Sequence, residues 1–168
     1  RKIELKPYEP DQEKHPTTPG RNNLTMLLDK PAPEMKCSDW FNSKPLTLAD
    51  LKGKVVVLTF WGGFDESTYG LARMNEMYVL SVLLADVEDV AFIGVHDAGN
   101  EPEEIKEYVE KLGIPFPVGR DADPFVTFIN YNINFIPQTV LIDKEGILRY
   151  SEVDGRILEL IKVLRRNN

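Results

Sequence analysis

Apolar and β-branched residues form two continuous runs, at residues 54–61 and 89–97. Runs of this length without polar alternation are typical of parallel strands that are covered on both faces. Between them, apolar residues recur at helical spacing over residues 66–86. The order strand, helix, strand therefore predicts two parallel strands joined by a right-handed crossover.

The second half of the chain continues with shorter elements. Residues 101–113 predict an amphipathic helix and residues 121–132 a short helix. Two strands around a Lys-Glu-Gly turn are predicted at residues 138–153, followed by an amphipathic helix at residues 155–166. The predicted order from residue 54 is β-α-β-α-(α)-β-β-α. This order indicates an α/β fold with a mixed central sheet flanked by helices.

The start of the chain differs from the rest. Residues 1–30 are rich in proline and polar residues, which predicts an extended arm or linker with a possible strand at Arg1–Lys6. We expect the folded domain to comprise residues 31–168. Up to residue 54, short extended pieces, turns and one helical turn at 48–51 are predicted.

Composition and charge exclude some classes of partner. The chain has 168 residues, 42% of them hydrophobic, which fits one globular domain with a core. Its net charge of −7 argues against nucleic acid or an anionic membrane surface as the main partner. No apolar run reaches the roughly 18–20 residues of a membrane-spanning helix. The chain starts at Arg1 rather than Met, which favours a fragment of a longer chain.

A polar tetrad, Asp65-Glu66-Ser67-Thr68, follows the first buried strand and opens the long helix. An acidic residue at a helix start can accept free N–H groups and interact favourably with the helix dipole, by about 0.5–2 kcal/mol. The preferred interpretation of Asp65 is therefore a helix-capping residue.

Three segments, in order, carry a family resemblance: "KPAPEM…LTLADLKGKVVVLTFWGGF", "EKLGIPFPVGRDAD" and "FIPQTVLIDKEGIL". Together they resemble the redoxin (AhpC/TSA) branch of the thioredoxin-like superfamily, over roughly residues 30–165. This branch contains thiol–disulfide oxidoreductases and relatives of the peroxiredoxins. The resemblance implies a thioredoxin-like fold with an N-terminal extension, and a bacterial chain that is exported to the periplasm or associated with a membrane.

The resemblance also assigns positions. Asp65 falls on the attacking cysteine of the Cys-x-x-Cys motif and Thr68 on the resolving one, while Ser67 stands where proline is usual. Pro137 falls on the cis-proline that leaves a backbone edge for substrates. Leu71 falls where some members of the family carry a buried glutamate.

The same positions lack the atoms that the family's reaction needs. Exchange requires a thiolate that attacks sulfur and a second thiol that resolves the mixed disulfide. Neither Asp65 nor Thr68 can do this, and Tyr69, where a peroxiredoxin would place its cysteine, has no sulfur either. The resemblance therefore implies a redox-inactive domain with vestigial active-site positions.

Cys37 is the only cysteine, so an intrachain disulfide is excluded. The preferred interpretation is a small buried hydrophobic residue. The alternative is a thiol–disulfide oxidoreductase or peroxidase-like enzyme in which Cys37 works with an external thiol.

A non-catalytic domain could bind a protein or peptide. Candidate contact residues are Trp61, Phe64, Ile136 and Pro137, where an extended segment could pair with exposed backbone. A structural role within a longer chain is the other possibility.

No cofactor and no metal are expected. A metal site from Asp65, His96 and Asp97 is the less favoured alternative, because ligand sites lie beyond the carboxyl ends of strands in open α/β sheets. The preferred interpretation of His96 is a strand-end histidine that hydrogen-bonds nearby backbone.

Overall fold

The computed structural model describes residues 23–151, 153 and 155–167. The strand predicted at Arg1–Lys6 lies outside the described residues. The strands are β1 Lys30–Pro31, β2 Cys37–Phe41, β3 Val55–Trp61, β4 Val90–His96, β5 Val118–Asp121, β6 Gln138–Ile142 and β7 Ile147–Ser151. The helices are α1 Thr68–Leu83, α2 Pro102–Leu112, α3 Val126–Asn130 and α4 Ile157–Arg166, with short 3-10 helices at Asn23–Leu27 and Ala49–Leu51.

The seven strands form one mixed sheet in the order β1-β7-β6-β3-β4-β5-β2. β3 and β4 are parallel, as predicted, with Trp61 opposite His96, and β4 and β5 are also parallel. The predicted hairpin of β6 and β7 is antiparallel. The carboxyl ends of β3, β4 and β5 therefore meet at one edge of the sheet, which we call the site edge.

Helices cover both faces of the sheet. Residues of α1, α2 and α4 pack in one hydrophobic cluster with alternate residues of β3, such as Val55 and Val57. Val56 and Leu58 point to the other cluster, which includes Phe128 of α3. All residues of β3 are buried, which is why its sequence shows no polar alternation.

The predicted boundary between sheet and helix was wrong around residue 121. Residues Val118–Asp121 form a strand, and the helix expected at 121–132 is limited to Val126–Asn130. The Asp121 carboxylate accepts the N–H groups of Thr127 and Phe128, at 2.8 and 3.0 Å, which fixes the start of this helix. A four-residue strand containing glycine, arginine and aspartate has no apolar run, so the pattern could not reveal it.

The predicted ends of α2 are confirmed. The Glu101 N–H donates to Glu104 Oε2 at 3.0 Å at the start of the helix. Gly113 ends it with φ of 62°, a left-handed conformation that glycine adopts without steric cost.

The first described residues already belong to the packed structure. Leu24 is fully buried, and Lys30 pairs with Leu148 of β7. The division of the chain at residue 30 stays a prediction. Within the described residues, the structure has no helix that is both long and apolar enough to cross a membrane.

Candidate functional site

The polar tetrad lies at the site edge, where the chain leaves β3. After Trp61 the chain turns, and the Asp65 N–H donates to the Gly62 carbonyl at 3.0 Å. The side chain of Ser67 accepts the Gly70 N–H at 3.0 Å and caps α1, which begins at Thr68. The tetrad opens the helix as predicted, but the capping residue is Ser67 and not Asp65.

Asp65 has a different environment from the one predicted. Its side chain is only 5% exposed, and Oδ1 accepts the N–H of Ser67 at 2.9 Å. The carboxylate lies against Gly70, so closely that a Cβ atom at residue 70 would overlap Oδ2. Among the described residues, Oδ2 has no hydrogen-bond partner. The position that resembles an attacking cysteine thus holds a buried carboxylate beside the first turn of α1.

Glu66 and Thr68 of the tetrad face solvent. Glu66 is exposed, with a carboxylate oxygen 3.8 Å from Lys111 Nζ. Thr68 is exposed as well. Tyr69 and Leu71 are each 43% exposed, so both side chains lie on the outer side of α1.

His96 fixes the loop between β3 and the tetrad. It is fully buried at the end of β4, where Nε2 accepts the Gly63 N–H at 2.8 Å. Its Nδ1 lies 2.9 Å from the Asp97 carbonyl, which can only accept, so Nδ1 carries the proton. Burial lowers the pKa of His96 to about 4, in agreement with this neutral ring. The interpretation of His96 as a strand-end histidine bonded to backbone is confirmed.

Aromatic rings enclose the histidine. Tyr108 of α2 stacks on it, with ring centroids 5.8 Å apart and planes 9° apart, and Trp61 meets it edge-on at 4.7 Å. A Cβ atom at Gly63 would overlap the Tyr108 ring. The loop can therefore follow this path only with glycine at residue 63. Tyr108 could not be predicted from the sequence, because it lies on another element, 45 positions after Gly63 along the chain.

Asp65, His96 and Asp97 do not form a metal site. Both ring nitrogens of His96 are used by backbone groups, and Asp97 Oδ1 accepts the Gly99 N–H at 2.5 Å. Burial raises the pKa of Asp97. Within the part of the chain that the structure describes, no three His, Cys, Asp or Glu side chains are grouped so that they could hold a metal ion.

The predicted contact surface needs a correction. Trp61 is 1% exposed and belongs to the core, so its predicted role as a contact residue is wrong. Pro137 is buried too, and the Ile136–Pro137 peptide bond is cis. Phe64 and Ile136 are half-buried, and a Cβ atom at Gly62 would touch both of them. We call these two side chains the Phe64–Ile136 rim.

The backbone of the rim residue Ile136 lies outside the paired part of the sheet. The β3–β6 ladder ends at the pair Phe60 and Gln138, so Ile136 lies past the last paired residue. Gln138 is 2% exposed, and both polar atoms of its side chain lack a partner among the described residues. The hydroxyl oxygens of Thr59 and Thr139 are 3.0 Å apart and buried. These polar groups could not be predicted as part of the site, because they occur inside apolar strands.

Cys37 lies far from the tetrad along the sheet. It is in β2, opposite Asp121, and three strand spacings separate β2 from β3, about 14 Å. The side chain is half-buried with its sulfur against Gly119. Burial, and then the charges of Asp121 and Glu34, raise the pKa of the thiol to about 12. The reactive thiolate is therefore strongly disfavoured at neutral pH.

The sheet order and helix placement, with a helix starting beyond the central strand and a cis-proline preceding β6, define a thioredoxin-like fold. Solved structures agree. A thioredoxin-like superfamily protein is 32% identical with a TM-score of 0.70, covering 82% of this chain and 97% of that one. A thiol-disulfide isomerase from Corynebacterium glutamicum is 25% identical with a TM-score of 0.70 and the same coverage.

Residues 28–151 match the AhpC/TSA family, and the chain belongs to that family. The thiol-disulfide oxidoreductase ResA of Bacillus anthracis is 33% identical over 122 residues, 72% of this chain. Protein DipZ of Mycobacterium tuberculosis is 32% identical over 141 residues, 77% of this chain. The chain spans 66% of the length of the first relative and 20% of the second, less than two thirds of each.

Proposed function

We propose that this chain is a redox-inactive thioredoxin-like domain that binds an extended protein or peptide segment at the Phe64–Ile136 rim. The observation that carries the proposal is that Asp65 and Thr68 stand where the resemblance places the two active-site cysteines. The relatives of this chain include thiol–disulfide oxidoreductases. The strands and helices of the thioredoxin-like fold are still present around these two residues.

The chemistry supports the first half of the proposal. A carboxylate has no disulfide state, and the alcohol of Thr68 stays protonated, so the steps of thiol–disulfide exchange have no participants here. Cys37 cannot replace them at neutral pH, because its thiol has a pKa of about 12 and lies about 14 Å away along the sheet.

The rim supports the second half. Phe64 and Ile136 offer two partly exposed apolar side chains next to each other, and the backbone at Ile136 lies beyond the strand ladder. An extended segment could hydrogen-bond to that backbone while its side chains contact the rim, as in strand addition. The hydrogen bond from Gly63 to His96 holds the loop that carries Phe64.

Turnover tests the loss of redox chemistry. Reduction of insulin disulfides and of hydrogen peroxide is measured with excess dithiothreitol, for the wild type and Cys37→Ser. We expect both proteins to stay at the uncatalysed rate. Turnover by the wild type that is lost in Cys37→Ser would make this an enzyme with a relocated thiol, and the proposal would be wrong.

Peptide selection tests the binding role. A phage-displayed library of random peptides is selected on the wild type, and the selected peptides are titrated against Phe64→Asp and Ile136→Asp. We expect each variant to weaken binding at least about tenfold, because a charge then has to be desolvated at the contact. Met26→Asp, at another exposed apolar residue, is the matched control and should bind normally. Peptides that bind the rim variants as well as the wild type would contradict the proposed surface.

A further inference from the structure

One side of helix α2 lies beside the loop that carries Phe64. This side contains four residues at helical spacing: Glu104, Glu107, Tyr108 and Lys111. The Tyr108 ring is so close to Gly63 that a Cβ atom there would overlap it. Nearer the end of the helix, Lys111 Nζ is 3.8 Å from a carboxylate oxygen of Glu66. This side of α2 and the polar tetrad therefore border the same loop.

Three exposed carboxylates surround Tyr108 at this border: Glu66, Glu104 and Glu107. We call them the acidic flank. Burial, and then the negative charges of Glu104, Glu107 and Glu66, raise the pKa of the tyrosine hydroxyl. A hydrogen bond from Asn100 lowers the pKa of Glu104, so this carboxylate is charged at neutral pH. The Glu66–Lys111 pair is exposed on both sides, and a pair of that kind is weak, so Glu66 stays available to a partner.

The acidic flank adjoins the Phe64–Ile136 rim. A Cβ atom at Gly62 would touch both rim side chains, and one at Gly63, the next residue, would overlap Tyr108. Phe64 and Glu66 are two positions apart in the chain, so their Cα atoms are separated by about 7 Å at most. The partly exposed apolar side chains of the rim therefore have charged carboxylates along one side.

The opposite end of the sheet has a different charge balance. There, before β4 begins, the Asp89 carboxylate is held by two cations, Lys144 Nζ at 3.2 Å and Arg165 Nε at 2.9 Å. In the ion pairs of the described residues, the acidic flank has one cation, Lys111, for three carboxylates. The negative charge beside the rim is therefore not compensated locally.

We propose that the segment bound at the rim is basic, with apolar residues on Phe64 and Ile136 and with lysine or arginine side chains at the acidic flank. This inference rests on the rim binding proposed above and names the chemistry of its partner. Opposite charges on facing surfaces speed association, and like charges oppose it, so an acidic segment would bind less well. The carboxylates alone would be a solvated face, and the apolar rim beside them makes the two together a contact surface.

Neutralising the acidic flank tests the proposal. Peptides are selected on the wild type from a phage-displayed random library and titrated by fluorescence anisotropy at low and at high salt concentration. We expect lysine and arginine to be enriched in them, and their affinity to fall as salt is raised. The triple variant Glu66→Gln, Glu104→Gln and Glu107→Gln should bind at least about tenfold more weakly at low salt and lose most of the salt dependence. Glutamine at residue 104 can still accept the Glu101 N–H at the start of α2.

A matched control removes three carboxylates elsewhere. Glu103→Gln and Glu110→Gln lie on the opposite side of α2, and Glu145→Gln lies in the turn between β6 and β7. This control should bind within about twofold of the wild type. Circular dichroism should show the wild-type fold in both triple variants.

The variant Phe64→Asp separates this inference from the binding role itself. Peptides that are lost in Phe64→Asp, but are not enriched in basic residues or bind the neutralised flank as tightly as the wild type, would overturn this inference and leave rim binding standing. Peptides that bind Phe64→Asp normally, or a library from which none is selected, would overturn rim binding and this inference with it.

Exchanging the charges tests which carboxylates face the segment. In one selected basic peptide, every lysine and arginine is replaced by glutamate, and both peptides are titrated against the double variant Glu66→Lys and Glu107→Lys. We expect the acidic peptide to bind the double variant at least about fivefold more tightly than the wild type, and the basic peptide to show the reverse order. The same preference for the basic peptide in both proteins would contradict the placement of the bound segment at the acidic flank.

Discussion

The carboxylate of Asp65 occupies the space beside Gly70 in which a side chain at residue 70 would lie. Glycine inside a helix costs about 0.5–1 kcal/mol relative to alanine, so its presence in the first turn of α1 needs a reason. The buried acid supplies it. Asp65 and Gly70 form a matched pair, in which the acid can stay inside only while residue 70 has no Cβ atom.

The substitution Gly70→Ala should lower the free energy of unfolding by about 1–3 kcal/mol, because the new methyl group overlaps the carboxylate in a packed site. Adding Asp65→Ala should recover most of the loss. Urea denaturation of the two single variants and the double variant measures the coupling. Asn75→Ala, at an exposed position of the same helix, is the control and should change stability little. A Gly70→Ala variant that is more stable than the wild type would show that helix propensity prevails and that the pair is not matched.

Stability should depend on pH through His96. Its pKa is about 4 in the folded chain and near 6.5 in the unfolded chain, so the unfolded chain binds more protons between these values. The free energy of unfolding should therefore be highest above pH 6.5 and fall as the pH drops to 4, by up to roughly 3 kcal/mol from this group. Chemical denaturation along this pH range measures the slope.

The matched variants assign that slope to a residue. His96→Phe should flatten it, although the variant is less stable because the Gly63 N–H loses its acceptor, at a cost of about 1–3 kcal/mol. The chain has one other histidine, so His15→Gln shows how much of the slope arises elsewhere. An unchanged slope in His96→Phe would mean that His96 titrates normally.

Removing the ring that covers His96 should raise its pKa. Tyr108 stacks on the imidazole, and burial is the main cause of the low pKa. In Tyr108→Ala, NMR titration of the imidazole should move from about 4 toward 6.5, since water then reaches the ring. Tyr78→Ala removes an exposed tyrosine from α1 and should leave the titration as it is. If His96 had the same pKa in Tyr108→Ala and in Tyr78→Ala, Tyr108 would not be what shields the imidazole from water.

Cys37 should react slowly with alkylating reagents while the chain is folded. With a pKa of about 12, the thiolate fraction at pH 7.5 is far smaller than in the unfolded chain, where the pKa is near the ordinary value of 9.0. We expect iodoacetamide to react at least about a hundredfold more slowly in buffer than in concentrated guanidinium chloride. Similar rates would show a reactive thiol and would reopen the enzymatic alternative.

The strong local patterns of the sequence were enough to predict most of the fold. The buried strands β3 and β4, the amphipathic helices α2 and α4, and the family follow from hydrophobic periodicity, helix-end residues and ordered motifs within short stretches. The strand β5 did not, because its four residues gain stability from pairing with β4 and β2 rather than from their own pattern.

At the candidate site, the sequence by itself determined that a tetrad without sulfur, from Asp65 to Thr68, follows the first buried strand, because residue identity is a local fact. Only the tertiary structure decided that Asp65 is buried against Gly70, that Trp61 belongs to the core, and that Phe64 and Ile136 both lie beside Gly62. Burial depends on which distant elements pack together. The sequence gives each side chain, and only the fold determines its neighbours.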